Sequence, residues 1–280
     1  MQELKGMPVV NALTRQITEQ METLSKNRII PKLAVIRIGE REDDISYEKG
    51  ILKRFSAVNA AVEAIALPHN SAQDILDETV SKLNSDDSVH GILIFRPLPN
   101  HLSLEGPKRL IAKEKDVDGM GISNGICVYE GSGEGYAPCT AQAVIELLDF
   151  YNIGIAGIKI TLIGRSLTVG KPLSMLLLGR DATVTICHTK TKNLADECKK
   201  ADILIACAGS ANMVKPNFTH PDQIVIDVGI NMIEGKLCGD ADYEAIAGNV
   251  AAITPVPGGI GTVTTSVLLK NTVNAAICST

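Results

Sequence analysis

Short apolar, β-rich runs alternate with helical patterns along most of this 280-residue chain, and that alternation leaves few architectures open. In the first half the runs fall at Lys32–Ile38, Ala61–Leu67 and His90–Phe95, with helical spacing over Asp44–Val58 and Ala72–Leu83. In the second half, strands are predicted at Lys159–Ile163, Thr183–Cys187, Ile203–Ala206, Ile224–Val228 and Val250–Ile253, and helices at Gly170–Leu178 and Asn193–Lys199. A strand buried on both faces reads as a continuous apolar run, and parallel neighbours need a crossover helix between them. The pattern predicts an α/β protein with parallel sheets. The length admits one large domain or two of ordinary size.

The connecting segments are less regular. Leu104–Lys115 is polar and partly helical, and Gly119–Tyr136 is glycine-rich without periodicity and reads as loop. Pro138-Cys139-Thr140 opens a long helix, with Thr140 as the expected N-cap and apolar residues at helical spacing over Ala141–Tyr151. A last helix, about Thr264–Ala276, follows a Pro/Gly-rich turn.

Composition excludes several classes of function. A net charge of −5 argues against binding the phosphate backbone of a nucleic acid, which needs surplus Lys and Arg. No apolar run approaches the roughly 18 residues that span a bilayer, and the N-terminus lacks the apolar core of a secretory signal. The seven cysteines are odd in number and contain no Cys-x-x-Cys pair, so reduced thiols in a cytoplasmic protein are expected rather than a disulfide framework. The five histidines show no metal-ligand spacing, and no metal is expected.

The sharpest local signal is Ile160 to Pro172, where a buried strand runs into a turn containing Gly164, Arg165 and Ser166, and a helix follows from Val169 and Gly170. Backbone N–H groups at such a helix start can hold a pyrophosphate, and glycine lets the phosphate approach the backbone. The spacing is not Gly-x-Gly-x-x-Gly, because Ser166 and Val169 stand at the second and third glycine positions. At the end of the next strand an NAD site usually carries an acid for the ribose 2′-hydroxyl. Here the sequence is Cys187-His188-Thr189-Lys190, with Arg165 in the neighbouring turn. Donors and cations suit a 2′-phosphate, so NADP is preferred, with NAD as the alternative. Two further turns, Cys207-Ala208-Gly209-Ser210 and Asp227-Val228-Gly229-Ile230-Asn231, end predicted strands where ligands bind in open α/β sheets.

These residues, with Tyr47, Gly91-Ile92-Leu93, Pro97-Leu98-Pro99, Lys115-Asp116-Val117-Asp118-Gly119, Pro138-Cys139-Thr140 and Thr254 to Gly261, run in an order that resembles the methylenetetrahydrofolate dehydrogenase/methenyltetrahydrofolate cyclohydrolase family over nearly the whole chain. The resemblance implies two α/β domains: 1–139 plus 262–280 for folate, and 140–261 as a Rossmann-type NADP domain. It implies a homodimer, with tetrahydrofolate as the substrate carrier. It implies that Tyr47 and Asp118 serve the reaction, Asp118 pairing with the pterin amidine edge. By the same resemblance Pro97, Leu98, Pro257, Gly258 and Gly259 lie against the substrate. Thr140, Gly164, Arg165, Ser166, Val169, Gly170, His188, Thr189, Ala208, Gly209, Gly229 and Ile230 would then lie against the cofactor.

Smaller departures from the family pattern fall at Ala141, Thr262-Val263 and Met120-Gly121-Ile122, and two bear directly on the chemistry. Bifunctional members read Tyr-x-x-x-Lys, and the lysine carries the hydrolytic step; here the fourth residue after Tyr47 is Ile51. The family's Gly-Ile-Leu-Val-Gln-Leu-Pro-Leu-Pro supplies a glutamine partner, where this chain has Phe95. Lys49 and Lys53 fall about 200° and 240° round the helix from Tyr47, and the pKa of Arg54 is too high to cycle protons. Oxidation mainly needs alignment of substrate and nicotinamide, whereas hydrolysis needs a tunable acid/base. The expectation is an NADP-dependent 5,10-methylenetetrahydrofolate dehydrogenase whose cyclohydrolase is lost or weak. A full bifunctional enzyme and a non-catalytic folate- or nucleotide-binding homologue are the alternatives.

Overall fold

The computed structural model describes residues 1–279, which form two compact units. One comprises Met1–Ala12 and Thr140–Thr264, the other Leu13–Cys139 and the chain from Thr265 onward. The first twelve residues thus group with the later part of the chain.

The first unit holds a six-stranded, wholly parallel sheet in the order Gln2–Glu3, Ala252–Ile253, Ile224–Asp227, Ile203–Ala206, Lys159–Ile163, Thr183–Cys187. Its central strands are buried along their length, as continuous apolar runs should be. Strand order reverses at Lys159–Ile163, whose neighbours are the next two strands of the chain, one on each side. Ile163 pairs with both Cys187 and Ala206, and Ala206 with Asp227, so Gly164, His188, Cys207 and Val228 all follow at one end of the sheet. A reversal of this kind leaves a crevice at the carboxyl ends of the strands.

The sequence reading anticipates neither the two-residue edge strand Gln2–Glu3 nor the antiparallel hairpin of Asn231–Ile233 and Lys236–Cys238. The hairpin turns through Glu234 and Gly235, both at positive φ, which suits a tight two-residue loop.

The second unit is built on a three-stranded parallel sheet with Lys32–Ile38 between Ala61–Leu67 and Gly91–Ile94. Helices Glu42–Ser56 and Gln73–Asn84 make the crossovers. Ile36, Ile38, Leu76, Val80, Ile92 and Ile94 pack together in one of its cores. The helix Gly6–Lys26 was not anticipated: its buried stripe of Val9, Val10, Leu13, Ile17 and Leu24 is thin and interrupted by polar residues. The last helix runs Ile260–Cys278, longer at both ends than expected; Ser266, Asn271 and Thr272 are buried in it alongside its apolar residues.

Two local expectations are corrected. Gly119–Tyr136 is not all loop, since Ile122–Glu130 is a helix closed by Gly131 at φ +66°. Its anchor is not an apolar stripe but Asn124, fully buried, which donates to the Lys113 and Asp116 carbonyls and to the Asp116 carboxylate. Thr140 is not an N-cap, because the helix is Cys139–Phe150 and Thr140 lies inside it. The oxygen that takes up the Cys139 N–H comes from Asp118, 21 residues earlier, at 3.1 Å.

Candidate active site

In the first unit the cofactor-type turn is fixed by its backbone. Gly164 sits at φ +133°, and a Cβ there would lie 2.4 Å from the Cys207 carbonyl oxygen. At Gly170 a Cβ would lie 2.3 Å from the Gly164 carbonyl oxygen. Only glycine fits either place. Ser166 Oγ accepts from the N–H groups of Val169 at 3.1 Å and Gly170 at 3.4 Å, which orders the start of helix Gly170–Leu178. Arg165 and Ser166 are exposed. On the next strand end, the His188 N–H donates to Thr191 Oγ1, and His188 Nδ1 accepts from the Lys190 N–H, leaving Nε2 as the ring's outer nitrogen. Thr189 is exposed beside it.

The remaining predicted cofactor residues are organised by two acids that the sequence reading left without a role. Asp240 accepts the N–H groups of Ala208 at 2.6 Å, Gly209 at 3.0 Å and Ser210 at 2.8 Å, so those donors are already occupied. Gly209, at φ +65°, faces open space. Asp227 accepts from the N–H groups of Gly229, Asp240 and Ala241, and burial pushes its carboxyl up to about 6. A Cβ on Gly229 would lie 2.3 Å from the Asp240 carboxyl group. Gly229, Ile230, Pro257, Gly258 and Gly259 together line a cavity of about 200 Å³.

In the second unit the site is made of side chains. Tyr47 and Ile51 stand one turn apart on Glu42–Ser56. Tyr47 is 37% exposed, but burial of its hydroxyl and the negative charge of Asp118 hold that group far above its ordinary range, and it hydrogen-bonds Thr265. Ile51 is 0% exposed. Phe95, buried just past strand Gly91–Ile94, packs on Tyr47 with ring centroids 5.4 Å apart. Lys49 and Lys53 are exposed, and Arg54 donates instead to Ser266 Oγ and Thr14 Oγ1. The cation acting on the Tyr47 hydroxyl is Arg96, whose Nη2 is paired with Asp118 Oδ2. Pro97 follows Arg96 exposed, whereas Leu98 is half-buried against the core of this unit.

The Asp118 loop is held from below by Asp116, which is 1% exposed. Asp116 accepts from the N–H groups of Met120 and Gly121 and from Asn124 Nδ2, each at 2.9 Å. Desolvation outweighs those bonds and pushes its carboxyl up to about 6. Cys139, also buried, donates its thiol to the Val117 carbonyl, and burial keeps that thiol protonated. Arg96, Thr265 and Asp116 went unassigned in the sequence reading. An arginine two residues past an apolar strand and an acid at Asp116-Val117-Asp118 were the available signals.

Residues 4–118 match the catalytic domain of the tetrahydrofolate dehydrogenase/cyclohydrolase family, and residues 138–280 match its NAD(P)-binding domain. The chain belongs to this family. A curated relative, the bifunctional protein FolD of Clostridioides difficile (strain 630), is 47% identical over 98% of this chain and 96% of its own length. The crystal structure of the bifunctional FolD methylenetetrahydrofolate dehydrogenase/cyclohydrolase from Campylobacter jejuni superposes with a TM-score of 0.97 at 36% identity, covering 99% of each chain. The Trypanosoma brucei FolD, solved with NADP cofactor and inhibitor, gives 0.93 at 32% identity over 98% of this chain and 97% of that one. The α/β fold and the NAD(P)-binding assignment of the tetrahydrofolate dehydrogenase/cyclohydrolase member described here follow from these matches. Among the described residues no helix is long and apolar enough to cross a membrane.

Proposed function

We propose that this family member oxidises 5,10-methylenetetrahydrofolate with NADP and has lost, or nearly lost, the hydrolysis of the methenyl product. The observation that carries this reading is Ile51, fully buried one turn from Tyr47 where a lysine is expected, with Phe95 packed on the same tyrosine. NADP, when bound, supplies the hydride acceptor. The Gly164–Gly170 turn suits it, because both glycines stand where a Cβ would collide with backbone and no acid follows Cys187 to repel a 2′-phosphate. Asp118 holds the pterin, and Tyr47 offers its flat face beside it.

What the site lacks beside Tyr47, at the positions of Ile51 and Phe95, is a group that moves protons. Ile51 and Phe95 carry none, and the Tyr47 hydroxyl is held protonated. Water attack on a methenyl cation followed by ring opening needs such a group. Oxidation needs position, which a rigid apolar wall supplies well. All seven cysteines are free thiols, which suits action in a reducing cytoplasm. A homodimer completes the reading, and Met232, Ile233 and Leu237, exposed on the hairpin, are apolar surface that a second copy would cover.

The test follows NADPH and methenyltetrahydrofolate separately after mixing purified protein with 5,10-methylenetetrahydrofolate and NADP or NAD. The expected result is NADPH production with methenyltetrahydrofolate accumulating and decaying only at its uncatalysed rate. Enzymatic clearance of added methenyltetrahydrofolate overturns the loss of hydrolysis. Absence of turnover with both ligands bound overturns the dehydrogenase.

A further inference from the structure

The Arg96–Asp118 pair asks for an explanation that the proposed reaction does not give. Two charged side chains, 23% and 14% exposed, are joined by an Nη2–Oδ2 contact, and both act on the hydroxyl of Tyr47, whose ring packs on Phe95. Asp118 Oδ1 also accepts the Cys139 N–H at 3.1 Å. Each carboxylate oxygen has two lone-pair directions, so one on each remains for a ligand. The guanidinium fork carries five N–H donors, and Asp118 is its partner among the described residues. In order across the pair, the site therefore presents donor, acceptor, acceptor.

A 4-oxopterin presents the complement along one edge: the C4 carbonyl accepts, N3–H donates, and the 2-amino group donates. We propose that Arg96 is a specificity-determining residue that reads the 4-oxo group of the folate while Asp118 takes N3–H and the 2-amino group. The inference rests on the folate reading above. A 4-aminopterin turns an amino donor toward the guanidinium donors and has a bare N3 toward the carboxylate, so it meets a mismatch at both places. The Cys139 N–H on Oδ1 and the guanidinium on Oδ2 hold the carboxylate plane fixed before the ligand arrives, which preserves the order of the row.

The test measures affinities of the full chain for tetrahydrofolate and for its 4-amino counterpart, in the wild type, Arg96→Leu and Arg96→Lys. A charge-assisted hydrogen bond is worth about tenfold or more in affinity. Arg96→Leu is expected to weaken tetrahydrofolate about tenfold or more while changing the 4-amino ligand by less than about threefold, with Arg96→Lys in between. Unchanged NADP affinity and melting temperature in Arg96→Leu establish that the variant is folded. Equal weakening of both ligands overturns the proposal, because Arg96 then only positions Asp118. Unchanged or tighter tetrahydrofolate binding also overturns it, because Arg96 is then displaced by the ligand. A wild type that binds neither folate overturns the folate reading itself, whereas wild-type binding with no loss in Arg96→Leu sinks only the role of Arg96.

Discussion

The Gly164–Gly170 turn and the Tyr47–Asp118 site lie in separate units and are held by opposite means. At the turn, main chain meets main chain: the Cys207 carbonyl excludes a side chain from Gly164, and the Gly164 carbonyl excludes one from Gly170. At the other site the contributions are side chains, from Ile51 on its helix, Phe95 and Arg96 just past strand Gly91–Ile94, and Asp118 in a turn, rather than a backbone path that only glycine can follow. A site of the first kind survives only with the fold that makes it. A site of the second kind can be rewritten while the fold stays; on the proposed reading, that is how a chain that superposes at a TM-score of 0.97 on a bifunctional relative can carry Ile51 and Phe95 where the resemblance implies lysine and glutamine.

The largest effect that would break this contrast comes from restoring the two polar residues. Ile51→Lys with Phe95→Gln is expected to raise hydrolysis of added methenyltetrahydrofolate by about 10²-fold or more, the usual scale of general acid–base catalysis. Because Ile51 is fully buried, Ile51→Lys alone leaves an ammonium without a partner and should lower the melting temperature. A folded double variant with no gain in hydrolysis would show that Ile51 and Phe95 do not set the hydrolytic activity. Next in size is Gly164→Ala. A β-carbon 2.4 Å from a carbonyl oxygen, at φ +133°, forces the turn to move, and strain of this kind is worth roughly 1–3 kcal/mol. NADP affinity is expected to fall about 10- to 100-fold with tetrahydrofolate affinity unchanged. Loss of both affinities together would deny that the two sites are held independently.

The same contrast explains what the sequence disclosed. Strands Lys32–Ile38, Ala61–Leu67, Lys159–Ile163, Thr183–Cys187 and Ile203–Ala206 are read from the chain with their observed bounds, because apolar continuity is a local property. The Gly164 turn was legible for a related reason, since glycine between a buried strand and a helix has few other uses. Polar anchors reached across the sequence were not legible. Asp240 holds the Ala208 N–H from 32 residues away, Asp118 starts the Cys139–Phe150 helix from 21, and the buried Asn124 secures a helix that reads as loop. The departures at Ile51 and Phe95 stood out only against the family pattern, and the structure adds that they are buried beside Tyr47.

Each unit nevertheless contains a buried carboxyl that receives three N–H donors and is raised to about 6 by desolvation, Asp116 in one and Asp227 in the other. The folded protein then binds more protons than the unfolded chain between about pH 4 and 6, so each group's contribution to stability grows as pH falls through 6 and is lost as pH rises above it. A shift of this size corresponds to at most about 3 kcal/mol per group. Melting temperature is expected to rise by a few degrees from pH 7.5 to 5.5, with the gain reduced in Asp116→Asn and in Asp227→Asn. A melting temperature that falls steadily with acid would mean that these carboxyls remain ionised in the fold.

The smallest effect concerns the tyrosine shared by the intact and altered parts of the substrate-side site. Burial and Asp118 keep the Tyr47 hydroxyl protonated far above neutral pH, and its hydrogen bond to Thr265 fixes the ring against Phe95. On the proposed reading such a group positions the substrate and exchanges no proton during oxidation. Tyr47→Phe deletes one neutral hydrogen bond and keeps the ring, a loss of about 1 kcal/mol. The expected fall in kcat/KM for dehydrogenation is therefore about fivefold, with the pH–rate profile between 6 and 9 unchanged in shape. A limb of that profile that vanishes in Tyr47→Phe would make the hydroxyl a proton carrier. The substrate-side site would then retain proton chemistry despite Ile51 and Phe95, and its separation from the bifunctional pattern would be far narrower.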